Sequence, residues 1–170
     1  MISCILALLC GLVVLCADQY TKYLISSTMT LGESREFIDG FLDISYIHNT
    51  GGAWGILSGY TWVLLSLSIV VILICITLLI KTGAQNKLLF WAVTLVVTGG
   101  AGNLIDRIFR GGKVVDFLHF EFYPTFPVFN IADIAVVVGA GLLILYYILD
   151  TAKEYKNKKI ILETPKDDEN

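Results

Sequence analysis

Four apolar stretches constrain this chain more than any other feature. They run over roughly Ile2–Ala17, Trp62–Ile80, Leu88–Ile105 and Phe129–Leu149. A helix that spans a bilayer needs about 20 mostly apolar residues, and slightly shorter ones are tolerated. Hydrocarbon offers the backbone no hydrogen-bond partner, so such stretches become helices. Composition agrees: 56% of residues are hydrophobic and 16% charged, against about a quarter charged in soluble domains. The mean hydropathy is +0.74. The expected fold is membrane all-α, a four-transmembrane-helix bundle with a small extracytoplasmic β-hairpin or sheet segment. The helices are expected at about 2–20, 60–80, 88–108 and 130–150.

With 170 residues there is room for one bundle and no second domain. The expected division is a single membrane-embedded domain over 1–152 and a polar cytoplasmic tail over 153–170, whose end from Pro165 has a disordered composition. The first apolar stretch is read as a retained transmembrane helix. No Lys or Arg precedes it, no A-x-A site follows it, and Leu15 before Cys16 is too bulky for a lipidation site.

An extramembrane segment is expected at about 24–57. Within it, Phe37-Ile38, Asp39-Gly40 and Phe41 to Ile47 read as a β-hairpin, with Asp-Gly as a two-residue turn. Lys81, Lys87 and the lysines of the tail fall on one side of the membrane. The count is seven Lys/Arg there against five on the other side. The positive-inside rule makes that side cytoplasmic, with both termini inside.

The net charge of −3 and the absence of a basic cluster argue against nucleic acid as a partner. Cys4, Cys10, Cys16 and Cys75 all lie in apolar stretches without a C-x-x-C pair, and the two histidines, His48 and His119, have no zinc-type spacing. Neither a metal nor another cofactor is expected.

The polar residues of the apolar stretches collect at one end. Asp18 follows the exit of the first helix and Asn49 precedes the second. Asn103, Asp106 and Arg107 end the third, with Asp116 shortly after, and Asn130 and Asp133 open the fourth. Four alternating spans bring all of them to one membrane face. Charges in a span are expensive, about 2.5–3.5 kcal/mol each at the bilayer centre, and mark a site unless they are paired. Asn103 shares a helix face with Asp106 and Arg107, at i+3 and i+4, and Asn130 shares one with Asp133. Each residue also has a plainer reading. Asp18 reads as an interfacial charge, Asp106 and Arg107 as an ion-pair network locking a helix end, Asn130 and Asp133 as helix caps, and Asp116 as a loop aspartate. Gly99-Gly100-Ala101-Gly102 reads as a close helix contact.

Five blocks, in order from 18 to 133, resemble one known family. They are Asp18-Gln19-Tyr20-Thr21-Lys22, Asn49-Thr50-Gly51-Gly52-Ala53-Trp54-Gly55, the glycine-rich block through Asn103-Leu104-Ile105-Asp106-Arg107, Val114-Val115-Asp116-Phe117, and Phe129-Asn130-Ile131-Ala132-Asp133. Together they look like lipoprotein signal peptidase, also called prolipoprotein signal peptidase or signal peptidase II. Trp54 stands where that family usually has Phe. The resemblance implies a bacterial cell-membrane aspartyl endopeptidase with its active site near the outer face. It would cut the signal peptide from lipid-modified prolipoproteins just before a diacylglyceryl cysteine, in contact with membrane lipid, and globomycin-type inhibitors would bind it. It implies Asp116 and Asp133 as the catalytic pair. Asp18, Lys22, Asn49, Asn103, Asp106, Arg107 and Asn130 would support the site or contact substrate.

Two aspartates that share a proton can activate water and protonate a leaving amine, because like charges in contact push their pKa values apart. Two other classes compete with this reading. A transporter places its polar groups nearer the midplane, between internal repeats, and a metal-dependent lipid-headgroup enzyme would use the four aspartates as ligands.

Overall fold

A computed structural model of the chain describes residues 2–82 and 86–163. The three residues 83–85 of the second connection and the end of the tail, including 165–170, lie outside the described residues. The elements, in order, are α1 (Ile2–Thr28), β1 (Ser34–Ile38), β2 (Leu42–Asn49), a single 3₁₀ turn (Ala53–Gly55), α2 (Thr61–Thr82), α3 (Lys87–Phe109), β3 (Val114–Phe120) and α4 (Ile131–Glu163). All four α-helices are long and apolar enough to cross a membrane.

The central helix is α3. Its buried residues Leu89, Phe90, Ala92, Val93, Val96, Gly99, Gly102 and Asp106 recur every three or four positions, and α1, α2 and α4 all pack on it. Asn86 caps its start, accepting the Leu89 N–H at 3.1 Å. Contacts along the helices give the directions. Trp91 Nε1 donates to Ser3 Oγ at 3.2 Å, which puts the starts of α1 and α3 together. Thr61 at the start of α2 lies against Gly112 just past the end of α3. The close approach of Gly139 to Ala92 and Val96, and of Gly99 to Ala132 and Val136, makes α4 antiparallel to α3. A Cβ on Gly139 would stand 2.8 Å from the Ala92 carbonyl oxygen, so glycine is what lets these two backbones meet. Cys75, Leu89, Val93 and Val96 fill the space between α2 and α3.

Two helices outrun their expected ends. The apolar character of α1 fades after Ala17, yet the helix continues to Thr28. The polar residues of its last turns are paired rather than solvated: Asp18 is 1% exposed and Lys22 is fully buried. Asp18 is therefore neither past the helix nor an interfacial charge. Likewise α4 runs on to Glu163, so the first part of the expected tail continues the helix.

The hairpin of β1 and β2 forms, with Ile38 paired to Leu42. The connection is three residues rather than two, and Gly40 is the position that takes a positive φ, 67°. An unexpected third strand, β3, pairs antiparallel with β2 and gives the order β1-β2-β3. Gly111 and Gly112, at φ 64° and 86°, end α3 and turn the chain onto β3 in a conformation that residues with a Cβ resist. The sheet sits on the end of α1 through Met29, Tyr46, Val115 and Phe117. This places the sheet over the end of the bundle where α1 and α3 finish and α2 and α4 begin.

Candidate active site

Strand β3 and the first turn of α4 bring Asp116 and Asp133 into one pocket. Asp116 is 1% exposed. Its Oδ2 accepts from Asn49 Nδ2 at 2.9 Å and its Oδ1 from Asn130 Nδ2 at 2.6 Å. Asp133 Oδ1 accepts from Asn103 Nδ2 at 2.7 Å, and its Oδ2 from the Asn130 N–H at 3.0 Å. Asn130 Oδ1 in turn accepts the Asp133 N–H at 2.9 Å. That reciprocal pair is a helix cap, so the capping reading of Asn130 and Asp133 holds alongside their place in the pocket. Each carboxylate thus receives two N–H donors, one on each oxygen.

Asp116 lies outside the spanning helices. Burial first, and the charge of Asp133 second, push its pKa up to about 7 against the donors Asn49 and Asn130. His48, on β2, is held below its ordinary value by burial, with Lys113 and Arg110 adding to the effect.

The pocket has a volume of about 460 Å³. Asn49, Asn103, Arg107, Asp116 and Asp133 form its polar side. Phe126, Phe129, Ile134, Val137 and Val138 form much of the rest, running down the first turns of α4. Trp54 stands at its edge, 67% exposed, with its ring edge-on to Phe126 at 5.9 Å between centroids. Phe120 and Phe129 continue the aromatic wall, 5.0 Å apart.

Arg107 projects into the pocket and away from Asp106, because neighbours in a helix face different ways. Its Nη2 donates to the Gly51 carbonyl at 3.1 Å. Its Nε is buried with no hydrogen-bond partner among the described residues. The cations that pair with Asp106 are Lys22 at 3.3 Å and Arg110 at 3.2 Å. The ion-pair network expected of Asp106 therefore exists without Arg107.

Behind the pocket, Lys22 Nζ bonds Asp18 Oδ2 at 2.9 Å and Asn103 Oδ1 at 3.0 Å. The structure thus brings all nine residues singled out in the sequence to one end of the bundle, in two layers. Asn49, Asn103, Arg107, Asp116 and Asp133 line the pocket. Asp18, Lys22 and Asp106 lie behind it, and Asn130 joins the layers. Two participants were not singled out. Gln19 Nε2 bridges Asp18 Oδ2 at 3.0 Å and the Gly102 carbonyl at 3.1 Å, and Arg110 holds Asp106 from the solvent side. The signal for Gln19 was a polar amide beside Asp18 in an otherwise apolar helix.

Comparison with known proteins points in one direction. Residues 10–149 match the signal peptidase II family. The chain is 46% identical over 142 residues to the lipoprotein signal peptidase of Bacillus pumilus, covering 83% of this chain and 91% of that protein. It is 42% identical over 153 residues to the lipoprotein signal peptidase of Enterococcus faecalis, covering 89% and 91%. Its fold is similar to a bacterial membrane enzyme solved by the in meso method at 2.3 Å resolution, with a TM-score of 0.80 and 38% identity over 86% of this chain and 90% of that one. A second such structure, at 1.9 Å resolution, gives a TM-score of 0.75, covering 83% and 91%.

Proposed function

The chain belongs to the signal peptidase II family of membrane proteases, and from that premise we propose that it works as an aspartyl endopeptidase, with Asp116 and Asp133 as its catalytic pair, on diacylglyceryl-modified prolipoproteins. One observation carries the reading. Two buried carboxyl groups from different elements share a pocket, and each is held by two amide donors.

Near neutral pH the pair shares one proton, and Asp116, raised to about 7 by burial and by the charge of Asp133, is its proposed carrier. Ionised Asp133 takes a proton from a water molecule. The hydroxide adds to the scissile carbonyl carbon while the carbonyl oxygen takes the proton of Asp116. The tetrahedral intermediate collapses as the amine nitrogen receives the proton held by Asp133, and its hydroxyl returns a proton to Asp116. Water is the nucleophile, so the cycle has no covalent enzyme intermediate. Arg107 lines the pocket and is placed to receive a substrate carbonyl.

The apolar part of the pocket suits a lipid-modified substrate. Acyl chains gain about 0.8 kcal/mol per buried methylene, so the substrate stays in the bilayer and the enzyme meets it there. Ile134, Val137 and Val138 continue the pocket along α4 and offer the chains and the signal helix an apolar wall. Trp54 and the 51–54 turn border the pocket and would cover the scissile region from outside. The lysine bias of the opposite end supports an outer-face location for this pocket.

The test is cleavage of a purified diacylglyceryl-modified prolipoprotein. Asp116→Asn and Asp133→Asn should each abolish cleavage, globomycin should block it, and a chelator should leave it unchanged. Normal cleavage by either variant, or loss of activity to the chelator, would sink the aspartyl reading.

A further inference from the structure

Lys22 is fully buried in α1 and is not among the residues that line the pocket. Its place in the fold nevertheless bears on both aspartates. An ammonium group has three N–H donors and no acceptor. Here Nζ donates to Asn103 Oδ1 at 3.0 Å and is ion-paired with Asp18 Oδ2 at 2.9 Å and Asp106 Oδ2 at 3.3 Å.

A donor-only partner fixes the direction of a side-chain amide. Asn103 has to turn its oxygen to Lys22, and its nitrogen then faces Asp133 Oδ1 at 2.7 Å. The same oxygen accepts Asn130 Nδ2 at 3.1 Å. That turns the nitrogen of Asn130 toward Asp116 Oδ1, at 2.6 Å, and leaves its oxygen for the Asp133 N–H. A neutral partner at position 22 would let this ladder reverse and present oxygen to the carboxylates.

The two carboxylates paired with Lys22 act on the backbone. Asp18 Oδ1 accepts the N–H of Ala132 at 2.9 Å, one residue before Asp133. Asp106 Oδ2 accepts the N–H of Val115 at 3.0 Å, one residue before Asp116. One buried ion cluster therefore anchors the chain just ahead of each aspartate.

We propose that Lys22 is a positioning residue for the Asp116–Asp133 pair: it sets the direction of the Asn103 and Asn130 amides and, through Asp18 and Asp106, holds the two backbone segments that carry the aspartates. The proposal rests on the catalytic reading above, whose own test is the pair of Asp→Asn variants. Normal cleavage by those variants would remove the pair, whereas the experiment below leaves the pair in place and questions Lys22 alone.

The experiment uses the full-length, detergent-solubilised protein and a diacylglyceryl-modified prolipoprotein, with kcat and KM measured across pH. The charged groups around the pair are Asp18 and Lys22 on α1 and Asp106 and Arg107 on α3. The double variant Lys22→Met/Asp18→Asn keeps the net charge, but Lys22 faces both aspartates and Asp18 faces only Asp133, so the split between kcat and KM carries the test. An Asn at 18 still has an oxygen for the Ala132 N–H, and Asp106 keeps Arg110, Gln19 and the Val115 N–H.

The expected result is a fall in kcat of about tenfold or more, KM within about twofold of the parent, and an acid limb moved to higher pH. The limb moves because the carboxylates lose amide donors and the Lys22 charge together. Lys22→Arg, also donor-only, should keep the parent limb. Should the double variant not fold, the triple variant that adds Asp106→Asn decides. The same split between kcat and KM is read there, and Lys22→Arg, which keeps both the charge and the donors, should hold the parent values in each. A folded double or triple variant with the parent kcat, or one whose loss lies only in KM, overturns the proposal. Failure of both to fold also overturns it, by assigning the cluster to stability alone.

Discussion

Asn130 Nδ2 lies 2.6 Å from Asp116 Oδ1, and the backbone N–H of the same residue lies 3.0 Å from Asp133 Oδ2. One residue thus holds both carboxylates, and it does so from the N-terminus of α4, where the helix dipole favours negative charge. Removing the side chain separates its two tasks. Asn130→Ala loses the cap, worth about 1 kcal/mol, and leaves the buried Asp116 Oδ1 without its donor, at a cost of about 1–3 kcal/mol. Melting in detergent should therefore show a modest fall in Tm. Cleavage should fall by more than tenfold, since each 1.36 kcal/mol is a factor of ten in rate. A variant that melts early yet cleaves at the parent rate would reduce Asn130 to a cap.

The raised pKa of Asp116 makes stability depend on pH in a particular direction. Unfolded, this carboxyl titrates near 3.8, and folded at about 7. Protons bind the folded state more tightly, so the contribution is fully present below about 3.8 and is lost as pH rises through about 7. His48, held below its ordinary value, acts in the opposite sense, so the useful quantity is a difference. Between pH 8 and pH 5, Tm of the parent should rise relative to that of Asp116→Asn. Parallel curves for the two proteins would contradict the buried, coupled carboxyl.

Much of this architecture is legible in the sequence because bilayer physics is demanding. An uncharged stretch such as 62–80 has one stable form in lipid, and alternation then delivers Asp18, Asn103, Asp106, Asn130 and Asp133 to one end. The strand Val114–Phe120 was harder to see, since Asp116 interrupts its apolar run. Its β-branched and aromatic residues, just after Gly111-Gly112, were the available signal. The end of α1 was misread for a related reason. Asp18 and Lys22 look like residues leaving a membrane when read along the chain, and only the partner carboxylate on α3, Asp106, shows that they are buried. Which cation pairs with Asp106 is a question of rotation about the helix axis, and nearness in sequence favoured the wrong neighbour, Arg107.

Gly102 tests the packing behind the pocket. A Cβ there would stand 2.8 Å from Asp18 Oδ2 and 3.0 Å from Ala132 Cβ, pressing on the carboxylate that holds the Ala132 N–H. Overpacking of this kind costs about 1–3 kcal/mol. Gly102→Ala should lower Tm and reduce kcat, because the shift passes directly to Asp133. Gly100, whose Cβ would meet only the flexible end of Ile72 at 3.4 Å, is the control, and Gly100→Ala should behave much like the parent. Equal effects at both positions would mean that helix propensity, rather than the Asp18 contact, sets the outcome.

Trp54 carries backbone strain at the rim of the pocket. It occupies a left-handed conformation, φ 54° and ψ 25°, which costs a residue with a Cβ roughly 1–2 kcal/mol. Its ring is 67% exposed and meets Phe126 at the edge of the pocket. A large apolar side chain held in such a conformation at a pocket rim is what a substrate-covering role requires, and it separates two substitutions cleanly. Trp54→Gly relieves the backbone and removes the ring, so it should match or exceed the parent in Tm while KM for a lipidated substrate rises about tenfold or more, the loss of some 1.5–3 kcal/mol of apolar contact. Trp54→Phe keeps an aromatic ring against Phe126 and should stay within a few-fold of the parent in KM. The acid limb of the rate should not move in either variant, since the ring makes no hydrogen bond to the carboxyl pair. A Gly variant with parental KM would assign Trp54 to folding of the 51–57 turn and leave the cover over the scissile bond to the Phe120, Phe126 and Phe129 wall.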